Sequence, residues 1–401
     1  MAKILKFRGK QDTEKDRETP RVDYRDKIRS HRFTIMYRSI LIVVLVAALI
    51  GAYYLQWNGK VYTECVPVSS VEKSTAAESS FLELSGNVLV YSEDGAGCFD
   101  TKGNAIWNVT YEMQHPLLSI SGDMVAIGDN NARTIYLMNG SGSVGEVSTP
   151  LPIYQFCVSE SGILAVALND TDITWIYLYD STGRELTYFK TTMQQSGYPM
   201  DIAISPNGEL VGISFLYVNS GEMKTRVAFY NFGAVGQNET DNYVSGYDYQ
   251  GVVVPSIRFM NGKSAYAVAD DRLIFFSGNQ KPVSIAEHLV SDEILSVFSG
   301  DEYVGLVFDS NEPDKRYRLE VYNSSGESAM TEDFDLDYTD ILIRDGYVYI
   351  YNEAKCKIYS LSGRLKYDGT FGRSAGLLIP EKNFGKLTLV SHESLDLLQL
   401  K

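Results

Sequence analysis

The chain has 401 residues, 44% hydrophobic and 12% aromatic, with 28 Tyr and only 22% charged residues, ample for a large core and unlike a disordered chain. Its net charge of −15 is uneven: residues 1–38 hold 12 Lys/Arg against 6 Asp/Glu, and the remainder holds 24 against 45. An acidic body of that kind repels phosphate backbones, which argues against nucleic acid as a partner.

Residues 1–38 are mixed in charge and poor in apolar side chains, and read as a disordered, basic cytoplasmic tail. From Ser39 to Leu55 the sequence SILIVVLVAALIGAYYL carries no charge. Extended back over Phe33–Tyr37, it reaches the ~20 residues that cross a hydrocarbon core. Arg38 can snorkel at one end, while Tyr53, Tyr54 and Trp57 form an aromatic belt at the other. The Lys/Arg excess lies wholly on the N-terminal side, so residues 1–38 are expected in the cytoplasm and residues 56–401 outside. The span reads as an uncleaved signal anchor: Ile50 stands where a cleavage site wants a small residue, and Cys65 follows no lipobox. The expected location is the cell membrane, single-pass, with the bilayer itself as a partner through residues 39–55.

Beyond the span one phrase recurs: alternating apolar and aromatic residues, then a polar turn ending in Gly. The copies lie at 97–103, 135–142, 176–183, 227–233, 273–278, 319–326 and 358–363. Their glycines (103, 142, 183, 233, 278, 326, 363) are 39, 41, 50, 45, 48 and 37 residues apart. A period near 40 built of short strands and turns is that of a four-stranded propeller blade. Blade four shows the remaining strands: 201–205 and 210–216 about the turn Pro206-Asn207-Gly208, then 226–230.

An eighth, incomplete copy closes the chain with strands at 376–380, 386–391 and 395–400. Its outer strand is missing, and an unpaired edge is a liability that natural sheets avoid. Residues 61–68 (VYTECVPV) supply the missing strand, with 69–80 as the crossover into blade one. The expected fold is therefore all-β: one propeller of eight blades stitched from both termini, with seven blades as the alternative, after one transmembrane helix.

In blade one, Cys98, Phe99, Asp100, Gly103 and Trp107 resemble the blade motif of quinoprotein-like propellers, in which Asp and Gly make the turn and the Trp packs between blades. Elsewhere the Trp is absent and the turn varies, so the resemblance to quinoprotein-like and WD-like propellers implies fold and not catalysis. The layout as a whole resembles a family of uncharacterised membrane-anchored propellers from Gram-positive anaerobes.

Catalytic motifs are missing: no GxSxG, HExxH, Walker or dinucleotide pattern occurs. No catalytic residue, cofactor or metal site is therefore expected. His115, His288 and His392 are isolated and read as turn or interblade residues. Cys65, Cys98, Cys157 and Cys356 lie far apart and read as small buried hydrophobes, with a single bridge left open. Two acidic runs, Asp309 to Asp314 and Asp333 to Asp337, offer oxygens to calcium without matching an EF-hand; solvated blade-edge loops are the preferred reading.

Tyr243, Tyr247 and Tyr249 lie in the longest interblade insert, 234–252. Tyr, Gly, Asn and Asp in a loop suit recognition of peptides or sugars. The other reading is a loop packed across its own propeller. Two functions follow: a non-enzymatic, membrane-tethered module that binds an envelope protein or glycan through this loop, or a ligand sensor or enzyme with its site on the propeller axis. Convergent carboxylates on the axis would favour the second.

Overall fold

The computed structural model describes residues 24–401 except Ala77, Ser220 and Asp301, and the side chains from His31 onward except those of residues 53–58 and Asn219. Two units are separate, residues 24–60 and Val61–Lys401. The first is one helix, Tyr24–Asn58. Its stretch His31–Ala52 is long and apolar enough to cross a membrane, with large side chains such as Leu41, Val43 and Ile50 exposed. At 1.5 Å per residue those 22 residues span about 33 Å. The expected disorder of the tail is corrected for residues 24–38. After Pro20 the sequence holds no Gly or Pro until Gly51, so nothing stops the helix from running back over them. Residues 1–23 lie outside the described residues, as do the side chains of the aromatic belt.

The second unit is a ring of eight four-stranded antiparallel sheets. Blade one runs Ser80–Thr110 and blade two Pro116–Ser148. Blade three runs Ile153–Thr192, blade four Tyr198–Gln250 and blade five Ser256–Leu289. Blade six runs Ser296–Phe334 and blade seven Asp340–Thr370. Blade eight takes Leu377–Pro380, Lys386–Val390 and Ser394–Leu400 from the end of the chain and Cys65–Glu72 from its beginning.

The recurring phrase is the corner between the third and fourth strands of a blade. In blade one, Asp100 Oδ1 accepts from the N–H of Lys102 (2.9 Å) and of Asn104 (2.8 Å). Asp180 does the same for Thr182 and Arg184, and Asn323 for Ser325 and Glu327. The side chain thus satisfies the turn's donors while Gly103, Gly183 and Gly326 take φ of 83°, 86° and 81°. A register shift follows in the ladder at each corner, the bulge that lets the outer strand twist away.

Between consecutive blades lies a layer of buried aliphatic and aromatic side chains. Blades one and two share Leu84, Leu89, Cys98, Val125 and Ile127; blades four and five share Phe229, Val254, Ile257 and Phe276. Among the described residues the layer between blades eight and one is the thinnest: Val88, Leu377, Ile379, Val390 and Leu395, five buried side chains against seven to twelve in the other interfaces. Trp107 packs between blades as its motif implied, donating from Nε1 to Asn139 O of blade two at 2.8 Å.

The stitched closure is present, with a shifted register. Cys65 pairs with Leu400 and Glu72 with Ser394, so the strand is 65–72 and not 61–68. Pro67 offers no N–H and sits at a bulge, and the ladder continues beyond it to Glu72. Residues 61–64 instead run beside blade seven: Tyr62 N–H donates to Lys366 O at 2.8 Å, and Asp368 N–H to Tyr62 O at 3.1 Å.

Candidate functional site

The thin layer between blades eight and one leaves a cleft of about 750 Å³. The inner strand of blade eight is only four residues long and ends at Pro380, which has no N–H to extend the ladder. The chain then turns through residues 381–385, with Gly385 at φ 96° and Phe384 stacked on Tyr347 at 4.3 Å. This turn places Lys382 and Asn383 on the cleft, and Lys386 follows on the next strand. Thr388, 2% exposed, donates from Oγ1 to Glu381 Oε1 at 2.7 Å and fixes that carboxylate.

Blade seven contributes Arg344 and Asp345, and blade one contributes Glu83, Ser85 and Gly86. Arg344 Nη1 lies 2.6 and 2.7 Å from the two carboxylate oxygens of Glu83, so side chains from blades seven and one pair past blade eight. Residues 345–346 and 85–86 all have φ near 50–80°, the signature of a two-residue hairpin turn that directs its neighbours outward. Lys102 reaches the cleft from the corner that Asp100 orders.

Four cationic and three acidic side chains thus line the cleft. Glu83 is neutralised by Arg344, and Glu381 is held by Thr388. Lys102, Lys382 and Lys386 pair with no carboxylate among the described residues. With four cationic side chains against three acidic ones, the cleft has a small positive excess on an acidic body.

A second cavity of about 440 Å³ lies among the inner strands of blades two to five. Asp201 of blade four is 6% exposed there; it pairs with Arg258 of blade five and accepts from the N–H of Ile257 at 2.8 Å. Both carboxylate and guanidinium are occupied by each other.

The three singled-out tyrosines do not form a loop. Tyr243–Gln250 is the outer strand of blade four, and the insert shrinks to residues 232–242, with short 3-10 turns at 236–238 and 240–242. The reason lies in blade counting: the sequence reading gave blade four three strands and took its fourth for an insert. Tyr247 and Tyr249 share the strand face toward blade five, whereas the bulge between Ser245 and Tyr243 turns Tyr243 to the opposite face, beside Tyr230. Tyr247 is half-buried and donates to Pro282 O at 3.1 Å, and Tyr249 is 8% exposed within the layer shared with blade five. Tyr243, 40% exposed, is the most open of the three, with its ring 5.8 Å from that of Tyr230.

In the second acidic run each carboxylate has a partner. Asp337 pairs with Arg316, Asp335 lies 3.2 Å from Lys357, and Asp333 accepts from Ser310 at 2.6 Å. The strand ends at Phe334, so the three carboxylates do not share a strand face. Among the described residues no group of three or more His, Cys, Asp or Glu is placed to hold a metal ion. His288 meets Gly326 O of blade six at 2.5 Å, and His392 stands 4.9 Å from Phe81 of blade one, both interblade positions. All four Cys are free thiols.

Sequence reasoning missed Arg344, Lys382, Lys386 and Thr388. Each sits in an ordinary turn or strand, and nothing in the local sequence says which turns share the seam.

A family model described as a family of unknown function, DUF5711, matches residues 58–400. A comparison with curated proteins found no match. Among solved structures, BamB from Moraxella catarrhalis is 12% identical over 84% of this chain and 100% of its own, with a TM-score of 0.49. AztD from Citrobacter koseri is 8% identical over 74% of this chain and 87% of its own, also at 0.49. Hsv2 from Kluyveromyces lactis is 11% identical over 73% and 98%, at 0.45. Likeness this distant assigns neither partner nor activity.

Proposed function

We propose that this chain, which belongs to the DUF5711 family of unknown function, is a non-enzymatic propeller tethered to the cell membrane by its N-terminal helix, with residues 56–401 outside the cytoplasm. It binds a protein or glycan of the cell envelope in the cleft between blades eight and one. The charge bias about the helix supports the topology, because Lys/Arg near a span are retained on the cytoplasmic side.

One observation carries the binding reading: the seam holds a cleft of ligand-site volume, lined by charged side chains from three blades. Its groups are suited to holding charge rather than to moving protons. A general base must be free to accept a proton from its substrate, whereas Glu83 is tied to Arg344 and Glu381 to Thr388.

Thr101 lines the cleft from an exposed turn position, so Thr101→Trp fills it without touching the core. Full-length protein in detergent, wild type and Thr101→Trp, is to be incubated with envelope extract, cross-linked and analysed by mass spectrometry. The reading requires components captured by the wild type and lost from the variant. An identical captured set from both would remove the cleft as the site.

A further inference from the structure

We infer that the seam cleft is an anion site, and that its ligand is a glycan bearing several carboxylate or phosphate groups; the inference rests on the cleft being the binding site. The residues after position 38 carry a large negative excess, 24 Lys/Arg against 45 Asp/Glu. Elsewhere on that body paired lysines stand singly, Lys281 with Glu239 and Lys357 with both Asp335 and Asp368. In the cleft several cationic side chains gather around one cavity. Lys102, Lys382 and Lys386 converge there from blade one and blade eight without a carboxylate partner among the described residues.

Placing like charges around one cavity costs free energy that an anionic ligand returns. The acids on the cleft offset them only in part: Glu83 is paired with Arg344, and Glu381 and Asp345 remain against the three lysines, an excess of one positive charge over the lining. Arg344, clamped by Glu83, adds a fixed planar donor group to the lining. The volume of about 750 Å³ is far beyond one inorganic anion and fits several sugar units. Walls that mix Ser69, Ser85, Thr101 and Asn383 with Ile379, Pro380 and Leu397 offer hydroxyls, an amide and apolar faces, the mixture that carbohydrate rings use.

The test uses the full chain in detergent and titrates it with tetragalacturonate, inositol hexakisphosphate, uncharged maltotetraose and vesicles containing phosphatidylglycerol. Two triple variants lose the same charge: Lys102, Lys382 and Lys386 to Gln in the cleft, and the exposed Lys190, Lys315 and Lys355 to Gln elsewhere. Saturable binding of a soluble polyanion that weakens by about tenfold or more in the cleft variant alone supports the inference. Binding confined to vesicles, lost in the cleft variant, keeps the anion site and overturns the glycan as its source. Equal loss in both variants, or no saturable binding of any anion, overturns the inference. Maltotetraose binding that Thr101→Trp abolishes and the lysine variant does not would overturn the anion site while leaving the binding reading intact.

Discussion

The carboxylate of Asp396 accepts two hydrogen bonds from Arg373 Nη1, at 2.8 and 3.1 Å, although Asp396 is 1% exposed and the arginine side chain 46%. The same nitrogen lies 3.1 Å from Ser70 Oγ, and Ser394 Oγ donates to the carboxylate at 2.7 Å. Ser70 is on the strand from the start of the chain and Asp396 on the last strand, and the two are register partners. One guanidinium therefore ties together the two ends that close the ring.

Asp396→Ala leaves a half-exposed guanidinium that water can solvate, so what is lost is the hydrogen bonding to a buried charged acceptor, about 1.5–3 kcal/mol. The substitution should therefore lower the unfolding free energy by roughly that amount in urea denaturation, while Ser70→Ala stays within about 1 kcal/mol. Equal effects of the two would mean that the carboxylate is not the centre of the clasp.

Removing residues 65–72 should be more damaging than any single substitution. It strips Ser394–Leu400 of its outer partner and takes Val71 from the seam, which has the fewest buried side chains of any interface among the described residues. The expected outcome is a chain that is aggregated or digested rapidly by protease at a temperature where the intact chain resists. Unchanged melting would show that the ring does not depend on its eighth outer strand.

Tyr249 and Tyr243 should behave oppositely on truncation. Tyr249→Ala empties a buried site shared with Val252 and Val254 and is expected to cost about 3 kcal/mol or more. Tyr243→Ala, at 40% exposure, should cost about 1 kcal/mol or less. A large loss for Tyr243 with none for Tyr249 would contradict their placement on the strand.

Stability should fall in alkali. Burial raises the phenols of Tyr111, Tyr230, Tyr349 and Tyr351, pushes those of Tyr179 and Tyr359 to about 12, and pushes the Cys98 thiol to about 11. Because folding raises these values, the unfolded chain releases the protons first, from 9.0 for Cys and 10.0 for Tyr. Their contribution is complete below pH 9 and is lost as pH rises through the folded-state values. The urea midpoint should be insensitive to these groups below about pH 9 and fall between about 9 and 12. A midpoint that holds steady across that upper range would show that these groups ionise as readily in the folded chain.

The topology has its own test. Protease added to intact cells should digest residues 56–401 while sparing a tag on Met1. Protection of the propeller with loss of the tag would reverse the proposed orientation.

The blade number was legible because the corner turn is local chemistry. Asp100, Asp180 and Asn323 bond their own backbone, and Gly103, Gly183 and Gly326 take positive φ, so each corner must recur with its residues. The closing strand was legible for a global reason with a local sign: a three-stranded eighth sheet leaves an edge to be covered, and a spare strand pattern precedes blade one. Its register was not, because the bulge at Pro67 depends on how the two strands meet. Tyr243, Tyr247 and Tyr249 were misplaced because the same alternation of apolar and polar residues suits a loop anchor or an outer strand, and only the adjoining blade decides between them.

The cleft was beyond sequence reasoning altogether. Ser69, Glu83, Lys102, Arg344 and Lys382 are scattered over more than three hundred positions and meet only because the ring closes between blades eight and one. Short-range hydrogen bonding and strand periodicity are written residue by residue, so the sequence determined the blades, their turns and the apolar helix ahead of them. Which charged side chains face one another depends on distances across the closed ring, and tertiary structure alone sets those.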